Sequence, residues 1–244
     1  MNHEEKILCT GSNGLLGTEF KKIIPKAIFT DVEEFNICKY EMMSDYISNK
    51  KIKKIIHAAA FTSPPKIDKE PIKAIDVNII GTSNVVKLCA ENQIDLIYIS
   101  TDYVFDGSKG NYSEEDPVHP VNKYAWSKLG GECAVRLYDK SLIIRTSFGP
   151  NIFPFEKAFV DQFTSRESVE SIAGKIIKII DKEIYGVVHI GGKRRTVMEY
   201  AKALNPKKTI LPLKREDVTF IVPKDTSLNI SKYNNIVSSD IEKQ

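Results

Sequence analysis

The sequence predicts an α/β protein built around a doubly wound parallel sheet. Short apolar runs, which indicate strands, alternate along the chain with longer segments whose apolar residues recur at helical spacing. The runs are apolar throughout, as is typical of strands that helices cover on both faces. Hydrophobic residues make up 42% of the 244 and charged residues 27%. This composition supports a sizeable core and excludes an intrinsically disordered chain.

The first 149 residues contain strands separated by helices. The first apolar run ends at Gly11, and the helix that follows it stops before Pro25. Further helices then lead into each later strand. Strands are predicted over 6–10, 27–30, 54–59, 95–101 and 141–146, and helices over 15–24, 40–50, 71–92 and 122–138.

The chain changes character after Gly149, where two prolines interrupt this alternation. Beyond them the sequence predicts a helix over 169–180, a strand over 186–190, a helix opened by the capping box 196–199, and a weakly periodic segment over 205–244. We therefore expect a first domain over 1–149. A small lobe over 150–244 follows, partly interleaved with the first domain.

Charge and cysteine spacing exclude several classes of protein. The formal net charge of +3 is too small to attract nucleic acid or an anionic membrane. The four cysteines show no CxxC pair and no His-rich spacing, so neither disulfides nor a metal site is predicted. Glu4 and Glu5 precede the first apolar run, unlike a secretory leader, and no apolar stretch nears the roughly 18 residues that span a bilayer. We expect a cytoplasmic protein with free thiols and no membrane partner.

A glycine-rich loop, Gly11-Ser-Asn-Gly14-Leu-Leu-Gly17, joins the first strand to the first helix. In this position one glycine turns the chain, another lets the backbone approach a pyrophosphate, and the third packs helix against strand. Asp31 follows Gly11 by twenty residues, at the end of the second strand, where a carboxylate can accept hydrogen bonds from ribose hydroxyls. The loop and Asp31 predict a Rossmann-type domain that binds NAD or NADP, and Asp31 favours NAD because it would repel a 2′-phosphate.

Tyr124 and Lys128 lie four residues apart in a predicted helix, so both project from one face. A neighbouring ammonium favours the phenolate and brings the pKa of a tyrosine towards neutral pH, which suits acid–base chemistry. Thr101 ends the fourth strand, at the edge where ligands bind in an open parallel sheet. Its hydroxyl could hold a substrate oxygen.

Five segments together carry a family resemblance. They are the glycine loop, His57-Ala-Ala-Ala60, Asn78, Ser100-Thr-Asp-Tyr-Val-Phe-Asp-Gly107 and Tyr124-Ala-Trp-Ser-Lys-Leu-Gly-Gly-Glu132. The sequence resembles the extended short-chain dehydrogenase/reductase superfamily, and within it the dTDP-4-dehydrorhamnose reductases. The resemblance is strong over 6–149 and weaker beyond. It implies a reductase of a nucleotide-linked 4-keto-6-deoxysugar that functions in dTDP-rhamnose and polysaccharide biosynthesis.

The resemblance also implies roles for individual residues. Tyr124 would protonate the sugar C4 oxygen, Lys128 would lower the pKa of this tyrosine, and Thr101 would bind the same oxygen. Cofactor-binding roles fall on Gly11, Asn13, Gly14, Leu15, Leu16, Gly17, Asp31, Ala58, Ala59, Ala60, Asn78, Ser100, Tyr124 and Lys128. Substrate-binding roles fall on Thr101, Val104 and Phe105, and Lys224 is assigned one as the replacement for a cation that the family has and this chain lacks.

The chain departs from the family pattern at several positions. His57 stands where the family usually has Asn, and Asn36 where an Asp often faces the adenine. Val222 stands where an Arg that can hold the nucleotide diphosphate is common. Lys224 or the cluster 193–195 could replace that cation. The alternative for the cluster is a solvated loop.

Two other functions stay open at this point. An NDP-sugar epimerase would use the same Tyr, Lys and cofactor, whereas a dehydratase is disfavoured because Thr101 is followed by Asp102-Tyr103. A non-catalytic nucleotide-binding regulatory subunit would have no chemical need for Thr101, Tyr124 and Lys128. The helices at 71–92 and 122–138 resemble a pair that forms a dimer contact in the superfamily, which favours a homodimer.

Overall fold

The computed structural model describes residues 6–239. Residues 1–5 and 240–244 lie outside this range, and with them Glu4, Glu5 and the two ends of the predicted domains. The strands are β1 Ile7–Thr10, β2 Ile28–Thr30, β3 Lys54–His57, β4 Asp95–Thr101, β5 Ser141–Thr146, β6 Phe148–Gly149, β7 Lys157–Phe159, β8 Phe163–Thr164, β9 Glu167–Ser168, β10 Gly186–Ile190, β11 Arg195–Thr196 and β12 Leu211–Leu213. The helices are α1 Leu15–Ile23, α2 Tyr40–Ile47, α3 Pro64–Lys69, α4 Pro71–Ala74, α5 Thr82–Asn92, α6 Lys123–Val135, α7 Val169–Ile177, α8 Val197–Leu204 and α9 Ser231–Ser238.

The central sheet has six strands in the order β2-β1-β3-β4-β5-β10. Strand β1 is parallel to both β2 and β3, and β3 is parallel to β4. Leu8 and Cys9 in β1 and Ile55 and Ile56 in β3 are fully buried. The predicted α/β fold with a buried parallel sheet is therefore confirmed.

The order of the strands reverses at β1. The chain runs from β1 to its neighbour β2 and then crosses to β3 on the other side of β1. In open α/β sheets, ligands bind outside the carboxyl ends of the strands at such a switch point. The topology therefore predicts a ligand site among the residues that follow β1, β2 and β3.

The predicted helix over 71–92 has an irregular interior. Helix α4 and helix α5 are joined by a π-helical segment, Ile75–Gly81, without a break in the chain of helical residues. A π segment adds residues to each turn and is often associated with functional sites. The buried Asn78 lies in the middle of this segment.

The chain divides into two compact units whose segments alternate along the sequence. The first unit holds the described residues up to Ser100, together with Asn122–Ile144 and Glu183–Gly186. The second holds Thr101–Val121, Arg145–Lys182 and the described residues from Val187 onwards. This division differs from the expected boundary at 149.

Contacts within the second unit explain why residues 101–121 belong to it. The backbone of Tyr112 donates to Ser227 O at 2.8 Å and accepts from Asn229 N at 2.7 Å. The amide of Asp225 donates to Gly107 O at 3.0 Å. The segment that follows β4 is therefore ordered by the segment near the end of the described chain.

The second unit has a small core of its own. The predicted capping box is present, because Glu199 N donates to Thr196 Oγ1 at 3.1 Å and Thr196 N donates to Glu199 Oε2 at 2.7 Å. Helix α8, which this box opens, packs Tyr200 and Ala201 against Phe153. The remaining members of the cluster are Ala158, Val197, Met198 and Ile210.

The described residues contain no membrane-spanning helix, no group of side chains suited to a metal ion and no disulfide. None of the helices between residues 6 and 239 has the length and hydropathy needed to cross a membrane. Within the same range, no three His, Cys, Asp or Glu side chains are grouped to hold a metal ion. The four cysteines, all of which are described, are unpaired.

Candidate functional site

The glycine loop after β1 has the geometry that requires glycine. Gly11 has a φ of +70°, and a Cβ there would lie 2.6 Å from Ala59 Cα. A Cβ on Gly17 would lie 2.6 Å from Gly11 O. Since real Cβ atoms do not approach this closely, both positions exclude larger residues. The loop can therefore turn tightly and let helix α1 begin close beside it.

Asp31 ties the end of β2 to this loop. Its Oδ2 accepts a hydrogen bond from Asn13 N at 2.9 Å, and its Oδ1 accepts one from Val32 N at 2.8 Å. The neighbouring Ser12 N donates to Thr30 O at 3.1 Å. The carboxylate is partly exposed, so it keeps lone pairs available to a ligand beside the loop.

A cleft of about 820 Å³ opens beside the loop, entirely within the first unit. Its size falls in the range of small-molecule and cofactor sites. The lining consists of Gly11, Asn13 and Gly14 after β1; Asp31, Val32, Phe35, Asn36, Ile37 and Cys38 after β2; Ala58, Ala59, Ala60 and Phe61 after β3; and Lys73, Asp76, Val77 and Ile80. The cleft therefore lies at the topological switch point.

The cleft gathers seven of the residues with predicted cofactor-binding roles, from Gly11 to Ala60, and adds others that the sequence did not single out. Lys73, Asp76, Val77 and Ile80 recur at intervals of three, one and three residues, as expected for one face of a helix. That spacing is the signal that could have found them. The other seven, which do not line the cleft, are Leu15, Leu16, Gly17, Asn78, Ser100, Tyr124 and Lys128.

His57, at the end of β3, is fully buried between two hydroxyl groups. Its Nδ1 lies 2.8 Å from Thr10 Oγ1 and its Nε2 lies 3.1 Å from Thr82 Oγ1. Burial, reinforced by the positive charge of Lys128, lowers the pKa of His57 to about 3. The imidazole is therefore neutral, and it links β1 to helix α5.

Asn78 connects the wall of the cleft to helix α6. Its Oδ1 accepts from Phe61 N at 2.7 Å, and its Nδ2 donates to Phe61 O at 2.9 Å and to Ser127 Oγ at 2.8 Å. Ser127 Oγ in turn donates to Tyr124 O at 2.7 Å. Since these contacts are made within the protein, Asn78 supports the site and does not face the cleft.

Tyr124 and Lys128 lie one turn apart in α6, as the sequence predicted. The helix is capped by Asn122, whose Oδ1 accepts from Ala125 N at 2.9 Å. Tyr124 is half-buried, whereas Lys128 is 3% exposed. Lys128 Nζ lies 4.1 Å from the centroid of the Tyr98 ring. Burial lowers the pKa of Lys128 to about 7, against the opposing effect of the Glu132 charge.

In the second unit, Thr101 is held by its own loop. Its Oγ1 accepts from Tyr103 N at 3.2 Å and donates to Asp102 Oδ1 at 3.2 Å. The other oxygen of Asp102 accepts from Thr226 Oγ1 at 2.7 Å. Burial raises the pKa of Asp102 despite these hydrogen bonds. Neither Asp102 nor Thr226 has a role predicted from the sequence.

The remaining residues with predicted substrate-binding roles also belong to the second unit. Val104 and Phe105 are fully buried, and the Phe105 ring stacks on Tyr112 with centroids 4.2 Å apart. Their side chains therefore serve packing as they are placed, and a contact with substrate stays a prediction. Lys224 is exposed.

The cationic loop 193–195 is largely neutralised within the second unit. Arg194 Nε lies 2.7 Å from Asp225 Oδ2, and Arg195 Nη2 lies 3.3 Å from Glu167 Oε1. A different cation lies near Val222, because Arg215 Nη1 donates to Val222 O at 3.2 Å. The sequence does not indicate this contact, since Arg215 precedes Val222 by seven positions.

Comparison with known proteins gives three informative similarities. The model of the RmlD substrate binding domain matches residues 5–149. The dTDP-4-dehydrorhamnose reductase of Aggregatibacter actinomycetemcomitans is 32% identical over 216 residues, which are 77% of this chain and 74% of that protein. The crystal structure of dTDP-4-dehydrorhamnose reductase from Bacillus anthracis, in complex with NADP, superposes with a TM-score of 0.85 at 25% identity and covers 98% of this chain and 99% of that one.

A relative with another role matches a shorter stretch. The methionine adenosyltransferase 2 subunit beta of Mus musculus is 34% identical over 141 residues. These residues are 53% of this chain and 42% of that subunit. The two reductases, by contrast, are similar to this chain through most of its length.

Proposed function

This chain belongs to the family of the RmlD substrate binding domain, and on that premise we propose that it is an NAD(P)H-dependent reductase of a nucleotide-linked 4-keto-6-deoxysugar. One observation carries the proposal. The cleft that contains the glycine loop is connected, through Phe61, Asn78 and Ser127, to the helical turn that bears Tyr124. A cofactor cleft and an acid–base pair are thus parts of one hydrogen-bonded structure.

The residues around the cleft fit a nicotinamide dinucleotide. The lack of a side chain at Gly11 lets the loop pack against the backbone of Ala59, and Gly11 and Gly14 border the cleft where a pyrophosphate would lie. The N-terminus of α1 supplies amide donors and a positive dipole end. Asp31 is suited to accept hydrogen bonds from ribose hydroxyls. When bound, such a cofactor supplies the hydride that adds to a carbonyl carbon.

The chain's own residues would then handle the proton. Tyr124 would donate its phenolic proton to the carbonyl oxygen as the carbon is reduced, which gives an alcohol and leaves a phenolate. The ammonium of Lys128, one turn away, would stabilise that phenolate. Thr101 would orient the same oxygen through a hydrogen bond. The protein contributes position and charge in each of these roles.

Within this proposal, NADH is preferred to NADPH. Support comes from Asp31, whose carboxylate would repel the 2′-phosphate of NADP. The related B. anthracis reductase was solved with NADP, so the comparison supports a nicotinamide dinucleotide without supporting the preference. The ratio of kcat/KM for NADH and NADPH tests it, and a ratio below one would contradict it.

Binding of the nucleotide diphosphate would use a cation of the second unit. Lys224 is exposed, whereas Arg194, Arg195 and Arg215 already have carboxylate partners. A lysine ammonium binds phosphate oxygens as a point charge. We therefore assign the diphosphate contact to Lys224 rather than to the 193–195 loop.

We further propose a homodimer formed through α4, α5 and α6. Several large apolar side chains on these helices and the π segment are exposed, among them Ile72 at 71% and Trp126 at 52%. Exposed apolar side chains of this kind are common at interfaces between subunits. Light scattering should give twice the mass of the chain, and a monomer at micromolar concentration would contradict the assignment.

A cytoplasmic location belongs to the same proposal. The four cysteines are unpaired, and two of them, Cys38 and Cys133, are exposed. Exposed thiols persist in a reducing compartment. Fractionation of the source cells would test this, and recovery outside the cytoplasm would contradict it.

The central test is oxidation of NADH or NADPH, followed by absorbance, with a panel of nucleotide-linked 4-keto-6-deoxysugars. Tyr124→Phe should lower turnover at least about 10²-fold while cofactor binding is kept, because it removes the general acid. Tyr185→Phe, at a tyrosine that is 42% exposed, is the matched control and should leave turnover unchanged.

Other outcomes of this test point to the alternatives. An epimerase would change the sugar without net oxidation of the cofactor. A regulatory subunit would show no turnover with any sugar and would bind another protein tightly. Either result would overturn the reductase assignment.

A further inference from the structure

Glu132 is a buried carboxylate that the proposed chemistry does not use. It lies in α6, four residues after Lys128, and is 0% exposed. Ser100 Oγ, at the end of the central strand β4, donates a hydrogen bond to its Oε1 at 2.5 Å. Because an ionised side chain is costly to bury without compensation, its position in the core calls for a specific role.

The spacing within α6 identifies the group that Glu132 acts on. Residues four apart in a helix project from the same face, so Tyr124, Lys128 and Glu132 form one row along α6. Lys128 is buried almost as deeply as Glu132. The buried ammonium of Lys128 is therefore the middle group of the row. The carboxylate of Glu132 lies one helical turn after it, and the phenol of Tyr124 lies one turn before it.

The other groups near Lys128 supply no negative charge at neutral pH. Tyr98, from β4, presents its ring to Lys128 Nζ, and the pKa of its hydroxyl is raised by burial. His57, from β3, is neutral because its pKa is lowered to about 3. Asn78, from the π segment, is uncharged, and Asp68 of α3 pairs with the exposed Lys123. Among these groups, Glu132 alone opposes the loss of a proton from Lys128.

We propose that Glu132 is a positioning residue that keeps Lys128 charged within the core and is itself held in place by Ser100. The inference rests on the proposed function, because proton transfer by Tyr124 requires Lys128 to be charged. It also reassigns Ser100. The resemblance implied cofactor binding for this serine, whereas its hydroxyl is directed to α6. Ser100 thereby connects the strand that ends at Thr101 to the helix that carries Lys128.

The test begins with Glu132→Gln, which keeps shape and removes charge. Without the carboxylate, the pKa of Lys128 falls further, so the ammonium is lost at lower pH. The alkaline limb of the pH profile of kcat should move to lower pH by about one unit. Glu132→Asp, which retains the charge, should restore most of the profile. Glu19→Gln, at another buried helical carboxylate, is the control and should leave the profile in place.

A second measurement separates this inference from the proposed function. The protein labelled with ¹³C at lysine Cε gives an NMR titration of each lysine, and Lys128→Arg identifies the signal of Lys128. A lower midpoint in Glu132→Gln supports the inference even if no sugar is reduced. An unchanged midpoint overturns it even if the protein is a reductase.

A third comparison applies if Glu132→Gln does not fold. In that case the lone ammonium of Lys128 is the expected cause, because an unpaired buried charge is strongly destabilising. The double variant Lys128→Met/Glu132→Gln, which has neither charge, should then fold. Failure of the double variant to fold better than Glu132→Gln would overturn the coupling between the two residues.

Discussion

The ring of His57 is placed 2.8 Å from the hydroxyl of Thr10, across the two neighbouring strands β3 and β1. Thr82 lies on its other side. His57→Ala would remove a fully buried side chain and leave both hydroxyls without this partner. We expect it to lower the free energy of unfolding by about 3 kcal/mol. Urea denaturation measures the loss. His119→Ala, at an exposed histidine, should change stability by less than about 0.5 kcal/mol.

Acid should destabilise the fold before its carboxylates titrate. Burial lowers the pKa of both His57 and His189 to about 3 from 6.5. The unfolded chain therefore binds more protons than the native protein below pH 6.5, and stability is lost as the pH falls from there towards 3.

The magnitude can be measured between pH 6.5 and 5. Each histidine adds up to about 1.4 kcal/mol per pH unit to the slope of unfolding free energy against pH. Glutamine does not titrate, so His57→Gln should reduce this slope by the contribution of one histidine, up to about 1.4 kcal/mol per pH unit. This reduction is expected whatever the effect of the substitution on overall stability. A slope equal to that of the native protein would contradict the burial of a neutral His57.

Two glycine substitutions should have opposite effects. Gly11→Ala places a Cβ 2.6 Å from Ala59 Cα at a φ of +70°, so it should abolish cofactor binding and lower stability by at least about 1 kcal/mol. Gly174 lies inside α7 with no atom within 4 Å of an added Cβ. Gly174→Ala should raise stability by about 0.5–1 kcal/mol. NADH fluorescence and thermal unfolding measure the two effects, and equal effects at the two positions would contradict this account.

Loss of the Asn78 contacts should affect turnover more than cofactor affinity. Asn78→Ala removes three hydrogen bonds that join Phe61 to α6, and we expect kcat to fall about 10-fold or more because Tyr124 is no longer held in register. KM for the cofactor should change by less. Asn92→Ala, at an exposed asparagine that bonds Leu88 O within α5, is the control. Equal losses in the two variants would argue against a positioning role.

Much of the fold follows from local sequence. The strands at 95–101, 141–146 and 186–190 begin and end at the residues that the apolar runs predict. These runs are flanked by polar or turn residues, which mark their limits clearly. The π segment inside the helix at 71–92 was not predicted, because it is short and the sequence on both sides of it keeps helical spacing.

Local sequence likewise predicts one part of the candidate site and not the other. The glycine loop and Asp31 could be found because a βα unit places them at fixed spacing. Asp102 was missed because its partner Thr226 is 124 residues away. The roles of Ser100 and Asn78 depend on which way their side chains turn, and neither direction can be derived from the neighbouring residues.

The alternation of the two units restricts how the chain can be divided. The chain passes from one unit to the other between residues 100 and 101, 121 and 122, 144 and 145, 182 and 183, and 186 and 187. No single cut in the described chain therefore yields two fragments that each carry one whole unit. A fragment ending at 149 would retain Tyr112 but lose Leu228, the residue to which it is bridged. Exchange of substrate specificity between relatives by splicing at one point would accordingly break the fold, and chimaeras need several junctions chosen at these boundaries.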